Sequence, residues 1–274
     1  MKIAVLQMTS GIDPEANGDI LVSAVSEAAA AGAVMLFTPE MSGLVDSDAK
    51  RATRSVAHEH EDNVLARVRA AAKAAGLWVH LGSLAVRHDA DARWGNRGFV
   101  IDDRGEIVSR YDKMHLFDVD LATGESWRES ARYVPGEAAS VVDTPVGKLG
   151  LAICYDMRFP ALFQALSNAG ATVLTVPAAF TVPTGKAHWH TLLRARAIEN
   201  AAFVVAAAQT GHHADGRDTY GHSLVIDPWG RVLLDMEDAP GLGFADLDLA
   251  ITDDVRGHIP VIRHRRDIPA LDPA

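Results

Sequence analysis

The stretch Lys148-Leu-Gly-Leu-Ala-Ile-Cys154, running straight into Tyr155-Asp-Met-Arg-Phe-Pro160, sets the reading of this chain. Its first half is short and apolar. Its second half is polar and aromatic and ends at a proline. That is the pattern of a buried strand emptying into a turn. The strand end carries the chain's one cysteine. A thiol at the lip of a sheet can be reached and deprotonated, but a free cysteine is also a common small core hydrophobe. Position alone leaves Cys154 open between nucleophile and core residue.

Outward from this strand, Val141–Thr144, Pro145-Val-Gly147 and Lys148–Ile153 read as strand, turn and strand. A helix is predicted near Phe159–Asn168, a strand at Thr172–Val176, a long helix near Lys186–Asn200 and a strand at Ala202–Ala208. Leu224–Asp227 and Arg231–Asp235, joined by Pro228-Trp-Gly230, form another predicted hairpin, and Gly243–Leu247 closes the pattern. The N-terminal half repeats the theme. Lys2–Met8, Val34–Phe37 and Leu77–Leu84 read as strands, and Gly98–Ile101 with Glu106–Arg110 as a hairpin. Asn17–Ala31 places Ile20, Leu21, Ala24, Val25 and Ala28 on one helical face, and Asn63–Ala75 is a second amphipathic helix. Hairpins beside βα units imply an α/β fold, a four-layer α-β-β-α sandwich of two mixed sheets with helices outside. No linker or repeat divides the sequence, so a single domain over 1–274 is expected, with a C-terminal tail from about 249.

Composition narrows the function classes. The 274 residues are 48% hydrophobic and 23% charged, with a net charge of −10. The densest basic cluster, His264-Arg-Arg266, lies in the tail, so neither nucleic acid nor an anionic membrane surface is an expected partner. A single cysteine cannot form an internal disulfide, which points to a reducing cytoplasm. Met1–Met8 is too short for a signal-peptide core and reads as a first strand. No apolar run approaches the roughly 20 residues of a membrane span.

Other candidate chemistry is distributed along the chain. Glu40 follows the second strand within Phe37-Thr-Pro-Glu-Met-Ser-Gly43. Ligands in open α/β sheets gather at such strand ends, although a solvated loop glutamate reads the same way. Lys113, in Tyr111-Asp-Lys-Met-His-Leu-Phe-Asp118, either supplies positive charge to a thiolate and an oxyanion or is a lysine lying along the surface. The 12 histidines include His58-Glu-His60, His188-Trp-His190 and His212-His213. None has zinc-ligand spacing, so no metal and no cofactor is expected. Gly221-His-Ser223 lacks the last glycine of a serine nucleophile elbow. No phosphate-cradling or dinucleotide loop is present.

Taken together, these segments resemble the nitrilase superfamily of carbon–nitrogen hydrolases along nearly the whole chain. Phe37-Thr-Pro-Glu40 is similar to the segment carrying that family's glutamate. Lys113-Met-His-Leu-Phe-Asp-Val-Asp120 is similar to its lysine segment, and Gly150-Leu-Ala-Ile-Cys-Tyr-Asp-Met-Arg-Phe-Pro160 to its nucleophile segment. Glu129, in Arg128-Glu-Ser130, matches a second glutamate often found there. Ala179-Phe-Thr181, Thr184–Trp189, Arg194–Asn200, Ala207–His212 and Tyr220–Ser223 resemble the Nit branch, which includes ω-amidases and deaminated-glutathione amidases. Thr38, Ala161 and His190 depart from the family's usual residues at their positions.

The resemblance implies a cysteine amidase acting through a thioester. Cys154 is its nucleophile, Glu40 its general base and acid, Lys113 its oxyanion donor and Glu129 a supporting carboxylate. It also implies a pocket that includes Tyr155, Arg158, Phe180, Thr181, His188 and Trp189, with Arg158 either binding a substrate carboxylate or bracing a helix. The expected substrate is a small carboxylate-bearing ω-amide, of the deaminated-glutathione or α-ketoglutaramate type. Nitrile hydrolysis on the same triad and a catalytically silent ligand-binding role are the alternatives. A homodimer is the implied assembly.

Overall fold

The computed structural model describes residues 1–88, 91–121, 124 and 126–269; the end of the C-terminal tail, 270–274, lies outside the described residues. Two mixed sheets carry the fold. In spatial order the first runs Gly241–Asp246, Lys2–Gln7, Met35–Phe37, Trp78–Arg87, Trp94–Ile101 and Ile107–Asp112, with Tyr133–Val134 pairing onto Trp94 and Gly95. The second runs Val232–Asp235, Leu224–Ile226, Phe203–Ala206, Val173–Thr175, Gly147–Leu151 and Ser140–Thr144. Parallel neighbours sit at the centre of each sheet and antiparallel hairpins flank them.

The layers follow from side-chain alternation along each strand. Ile3, Val5, Met35, Phe37 and Val100 turn inward and join the side chains of the second sheet in one apolar cluster. Ala4, Leu6, Leu36, Val79, Leu81, Phe99 and Ile101 turn the other way. They pack against Leu21, Val25 and Ala28 of helix α1 (Pro14–Ala30), which is followed by the short α2 (Ala49–Ser55), and against Leu65, Val68 and Ala72 of α3 (Asn63–Ala75). Across the molecule, Leu162, Phe163 and Leu166 of α4 (Pro160–Asn168) and Trp189, Leu193 and Ala197 of α5 (Val182–Asn200) cover the second sheet. A slip of one residue would exchange the two faces of a strand, so the two apolar clusters fix the register. The result is the expected α-β-β-α sandwich.

Local chemistry moved several boundaries. Helix α1 starts at Pro14 rather than Asn17, because Asp13 caps it by accepting from the Glu15 N–H and Pro14 occupies its first turn. Helix α5 starts four residues before Lys186, with Pro183 in its first turn. The strand predicted at Gly98–Ile101 begins at Trp94, since Trp94–Arg97 pairs with Leu84–Arg87. Two small hairpins, Asp118–Asp120 with Ser126–Arg128 and Thr210–His212 with Asp218–Tyr220, carried no apolar run and were not read from the sequence. After the last strand, α6 (Ala250–His258) is tied down by Arg256, whose guanidinium donates to the carbonyls of Ala171 and Ala201. Among the described residues, no helix is long and apolar enough to cross a membrane.

Candidate active site

Three strand ends and one short turn converge. Glu40 lies three residues past Met35–Phe37, Lys113 one past Ile107–Asp112, and Cys154 three past Gly147–Leu151. Glu129 opens the 3-10 turn Glu129–Ala131.

The path into Glu40 depends on a glycine. A Cβ on Gly82 would fall 2.1 Å from the Thr38 carbonyl oxygen and 2.5 Å from that of Pro39. With glycine there, the Thr38-Pro39 turn lies directly on the neighbouring strand. Thr38 holds the contact: its Oγ1 accepts from the Gly82 N–H at 3.0 Å and from Ser42 Oγ at 3.1 Å. The hydroxyl that departs from the family pattern thus fastens the turn that aims Glu40 inward.

The turn that carries Cys154 is fastened by Asp156, which is wholly buried. Its Oδ2 accepts from the Ile153 N–H at 2.9 Å and from the Tyr111 hydroxyl at 2.7 Å. Its Oδ1 accepts from the His115 N–H at 3.0 Å and lies 2.7 Å from His115 Nδ1. Tyr111 and His115 bracket Lys113 in sequence, so one carboxylate locks the lysine segment to the cysteine segment. The Cys154 N–H donates to Pro177 O at 2.9 Å, and the residue is held at φ +50°. A left-handed backbone on a non-glycine residue is uncommon and persists only where its surroundings enforce it. Here it turns the strand sharply into the helical turn Cys154–Arg158, whose first N–H groups have no partner within the turn.

At the centre, Lys113 Nζ donates to Glu40 Oε1 at 2.9 Å and to Glu129 Oε1 and Oε2 at 3.1 and 2.9 Å. Asn96 bridges the same two carboxylates, its Nδ2 donating to Glu40 at 2.9 Å and to Glu129 at 3.1 Å. The Ala179 N–H donates to Glu40 Oε2 at 2.8 Å, and the Phe117 N–H to Glu129 Oε2 at 2.6 Å. The Cys154 thiol lies close enough to Glu40 and Lys113 for both charges to act on it. Glu40, Lys113, Asn96 and Cys154 are all buried.

The electrostatics follow from this packing. Burial works against a charged Glu40, but the Lys113 charge and the hydrogen bonds from Lys113 and Ala179 outweigh it and hold the carboxyl below its usual range. Burial likewise disfavours charge on Lys113, and the two carboxylates overcome it, so the ammonium persists well above the ordinary lysine range. The thiol is driven the other way. Burial and the negative charge of Glu40 push Cys154 well above the ordinary cysteine range, against the opposing pull of Lys113. The resting site therefore holds a neutral thiol beside a ready carboxylate.

Around the thiol, an aromatic wall is continuous. His115 stacks on Phe159 at 3.7 Å between ring centroids, and Tyr155 meets Phe117 and Phe159 edge-on at 5.1 and 5.3 Å. The Arg158 guanidinium lies over the rings of Phe180 at 5.5 Å and Tyr155 at 5.8 Å. Its polar partner is His188 Nδ1, at 3.3 Å from Nη2, and among the described residues no carboxylate pairs with it. Trp189 stands behind this wall. It is fully buried against Phe180 at 5.0 Å, and its indole N–H donates to the His222 carbonyl at 2.7 Å. Thr181 is buried at the start of α5, with its hydroxyl 2.7 Å from that of Thr184. Sequence reasoning missed Asn96 and Asp156. The one available sign of Asn96 was a poor strand former inside a strand, between Gly95 and Gly98.

Residues 2–256 match the carbon–nitrogen hydrolase family. This chain belongs to that family. It is a hydrolase of carbon–nitrogen bonds other than peptide bonds. A bovine deaminated glutathione amidase is 42% identical over 271 residues, covering 96% of this chain and 81% of its own length. The Caenorhabditis elegans NitFhit structure superposes with a TM-score of 0.89 at 39% identity, covering 97% of this chain; this chain spans 65% of that longer fusion protein. A glutamate-to-glutamine mutant of a Nesterenkonia amidase, with acrylamide added at its active-site cysteine, superposes with a TM-score of 0.79 at 29% identity, covering 95% of this chain and 98% of that one. In this carbon–nitrogen hydrolase the lone cysteine sits beside the buried Glu40–Lys113 pair.

Proposed function

We propose that this hydrolase is a cysteine amidase that converts a small carboxylate-bearing ω-amide to acid and ammonia through a Cys154 thioester. The name of the bovine relative and the Nit-type segments favour the deaminated-glutathione or α-ketoglutaramate type. The observation that carries the reading is the set of one buried thiol, one buried ammonium and one buried carboxylate, with the part-buried Glu129 carboxylate held on the same ammonium.

An amide is a poor electrophile with a poor leaving group, so hydrolysis is split into acylation and deacylation. The Cys154 sulfur attacks the carbonyl carbon as its proton passes to Glu40. The C–S bond forms and negative charge moves to the carbonyl oxygen, where the Lys113 ammonium and the Tyr155 N–H are the proposed donors. The intermediate collapses, the C–N bond breaks, and Glu40 returns the proton to the departing ammonia. Glu40 then takes a proton from water, whose oxygen attacks the thioester carbon; the C–S bond breaks, the acid is released, and Glu40 returns the proton to the Cys154 sulfur. Glu129 and Asn96 hold Lys113 and Glu40 in register throughout.

Arg158 supports a substrate carrying a carboxylate, since its guanidinium faces an aromatic and imidazole wall and, among the described residues, no carboxylate pairs with it. A bidentate carboxylate would complete its hydrogen bonding. His188 orients the guanidinium, while Phe180 and Thr181 shape the wall and Trp189 backs it. The lone thiol, stable in a reducing compartment, supports the cytoplasm. The family resemblance supports a homodimer of single-domain chains.

The test is an ammonia-release panel of deaminated glutathione, α-ketoglutaramate, succinamate, a neutral amide and simple nitriles. Turnover is expected on the carboxylate-bearing amides. Arg158→Gln is expected to raise KM for them by about 10–100-fold, the value of a lost charge-assisted hydrogen bond, and to leave the neutral amide almost unchanged. Acid formed from nitriles but from no amide would overturn the amidase reading, and an equal loss on neutral and charged amides would make Arg158 a brace.

A further inference from the structure

Beyond the catalytic cluster, α5 brings a second set of ligating side chains together. His190 Nε2 lies 2.9 Å from Asp235 Oδ2, and His222 Nδ1 lies 2.9 Å from Asp235 Oδ1. The two imidazoles stand 5.2 Å apart at 73°, and one ligating atom from each of the three residues lies within 4.8 Å of the others. All three side chains are partly open to solvent, between 25% and 36% exposed. The cluster draws one residue from each of three segments: α5, the turn after Asp218–Tyr220, and the end of strand Val232–Asp235. For that reason no spacing motif announced it.

We propose that His190, His222 and Asp235 form a binding site for one divalent transition-metal ion of the zinc class. Two imidazole nitrogens and one carboxylate are the borderline donor set that such ions favour, and three protein ligands leave a fourth position for water. Zinc–ligand bonds of about 2.0–2.2 Å place tetrahedral donors roughly 3.4 Å apart; Asp235 now lies 2.9 Å from each imidazole and all three atoms lie within 4.8 Å of one another, an adjustment that rotation of the part-exposed His190 can supply. His222 is the fixed corner. It sits at φ +53°, its ring stacks on Tyr220 at 4.5 Å, and its carbonyl accepts from Trp189. Each nitrogen now facing Asp235 presents its lone pair once the ring's proton resides on the other nitrogen. A bound ion would tie α5 to strand Val232–Asp235, directly behind the wall formed by Trp189 and Phe180.

The site is tested with zinc itself, by titration into metal-stripped protein carrying Cys154→Ala, so that the catalytic thiol cannot bind the ion. One zinc per chain is expected, with a rise in thermal midpoint that millimolar magnesium or calcium does not reproduce. His190→Gln and His222→Asn, the latter suited to a left-handed backbone, should each weaken zinc binding by about 100-fold or more, since even the outer partners of metal ligands are worth ~10–100-fold. Circular dichroism checks that both variants fold. Absence of zinc binding in the parent, or zinc binding unchanged in both folded variants, would overturn the proposal and leave the cluster as a hydrogen-bonded clamp.

Discussion

Lys113→Met is expected to destabilise the protein by about 3–5 kcal/mol at neutral pH, the cost of removing one partner from a buried ion pair, and to abolish amide hydrolysis. Lys113 is 2% exposed and is held by Glu40 and Glu129. Without the ammonium, the two carboxylates keep the N–H groups of Asn96, Ala179 and Phe117 as hydrogen-bond donors but lose the one positive charge that both contact.

The pH dependence separates this cause from a simple packing loss. In the wild type the Glu40 carboxyl is held low and the Lys113 ammonium high. The stabilisation from Glu40 is present above its unfolded pKa, near 4.5, and is lost as pH falls through the lower folded value. That from Lys113 is present below about 10.5 and is lost as pH rises through the higher folded value. In the variant the Lys113 charge no longer opposes burial, so the Glu40 carboxyl moves up and takes up a proton as the solution is acidified. The stability gap between wild type and variant should therefore narrow from pH 7 to pH 5 in urea unfolding. A gap that stays constant over that range would contradict the assignment of the cost to unpaired charge.

The second large effect concerns Glu40. Glu40→Gln is expected to lower turnover by about 10²–10⁴-fold, the usual worth of a general base. It should also make the thiol more acidic, because the Glu40 charge is one of the influences that push Cys154 up. Iodoacetamide alkylation should show both changes. The wild type is expected to react along two limbs: a level one through neutral pH, where Glu40 accepts the proton, and a rising one well above pH 9, where the free thiolate forms. The variant should lose the level limb, and its rising limb should move to lower pH. A variant whose neutral-pH alkylation rate matched the wild type would remove Glu40 from the role of base.

The candidate catalytic residues were legible for a physical reason. Glu40, Lys113 and Cys154 each stand just past a short apolar run, and a polar group at a strand end is where a sheet can present chemistry without burying an unpaired charge in its middle. The layer plan was legible because hairpins and βα units bury faces of opposite parity. What was not legible depends on contacts distant in sequence. Asp156 fastens the turn that carries Cys154 through Tyr111 and His115, 45 and 41 residues away, and in sequence it is one acid in a polar turn. Asn96 sits 56 residues from Glu40 and 33 from Glu129, and no periodicity marks a strand residue whose partners are loop carboxylates. The pairing of Gly241–Asp246 with Lys2–Gln7, which closes the first sheet, is likewise set by packing across the whole chain. The protonation state of Cys154 also had to wait for the structure. The sequence reading placed two carboxylates and a thiol near one lysine, and the geometry shows both carboxylates hydrogen-bonded to it.

The most direct test of the covalent reading is intact-mass spectrometry of enzyme quenched with acid within one turnover of an ω-amide. The expected result is a mass increase equal to the acyl group on the peptide containing Cys154, formed together with ammonia and absent from Cys154→Ala. Ammonia release by Cys154→Ala at the wild-type rate, or turnover with no adduct on Cys154 at any quench time, would contradict it.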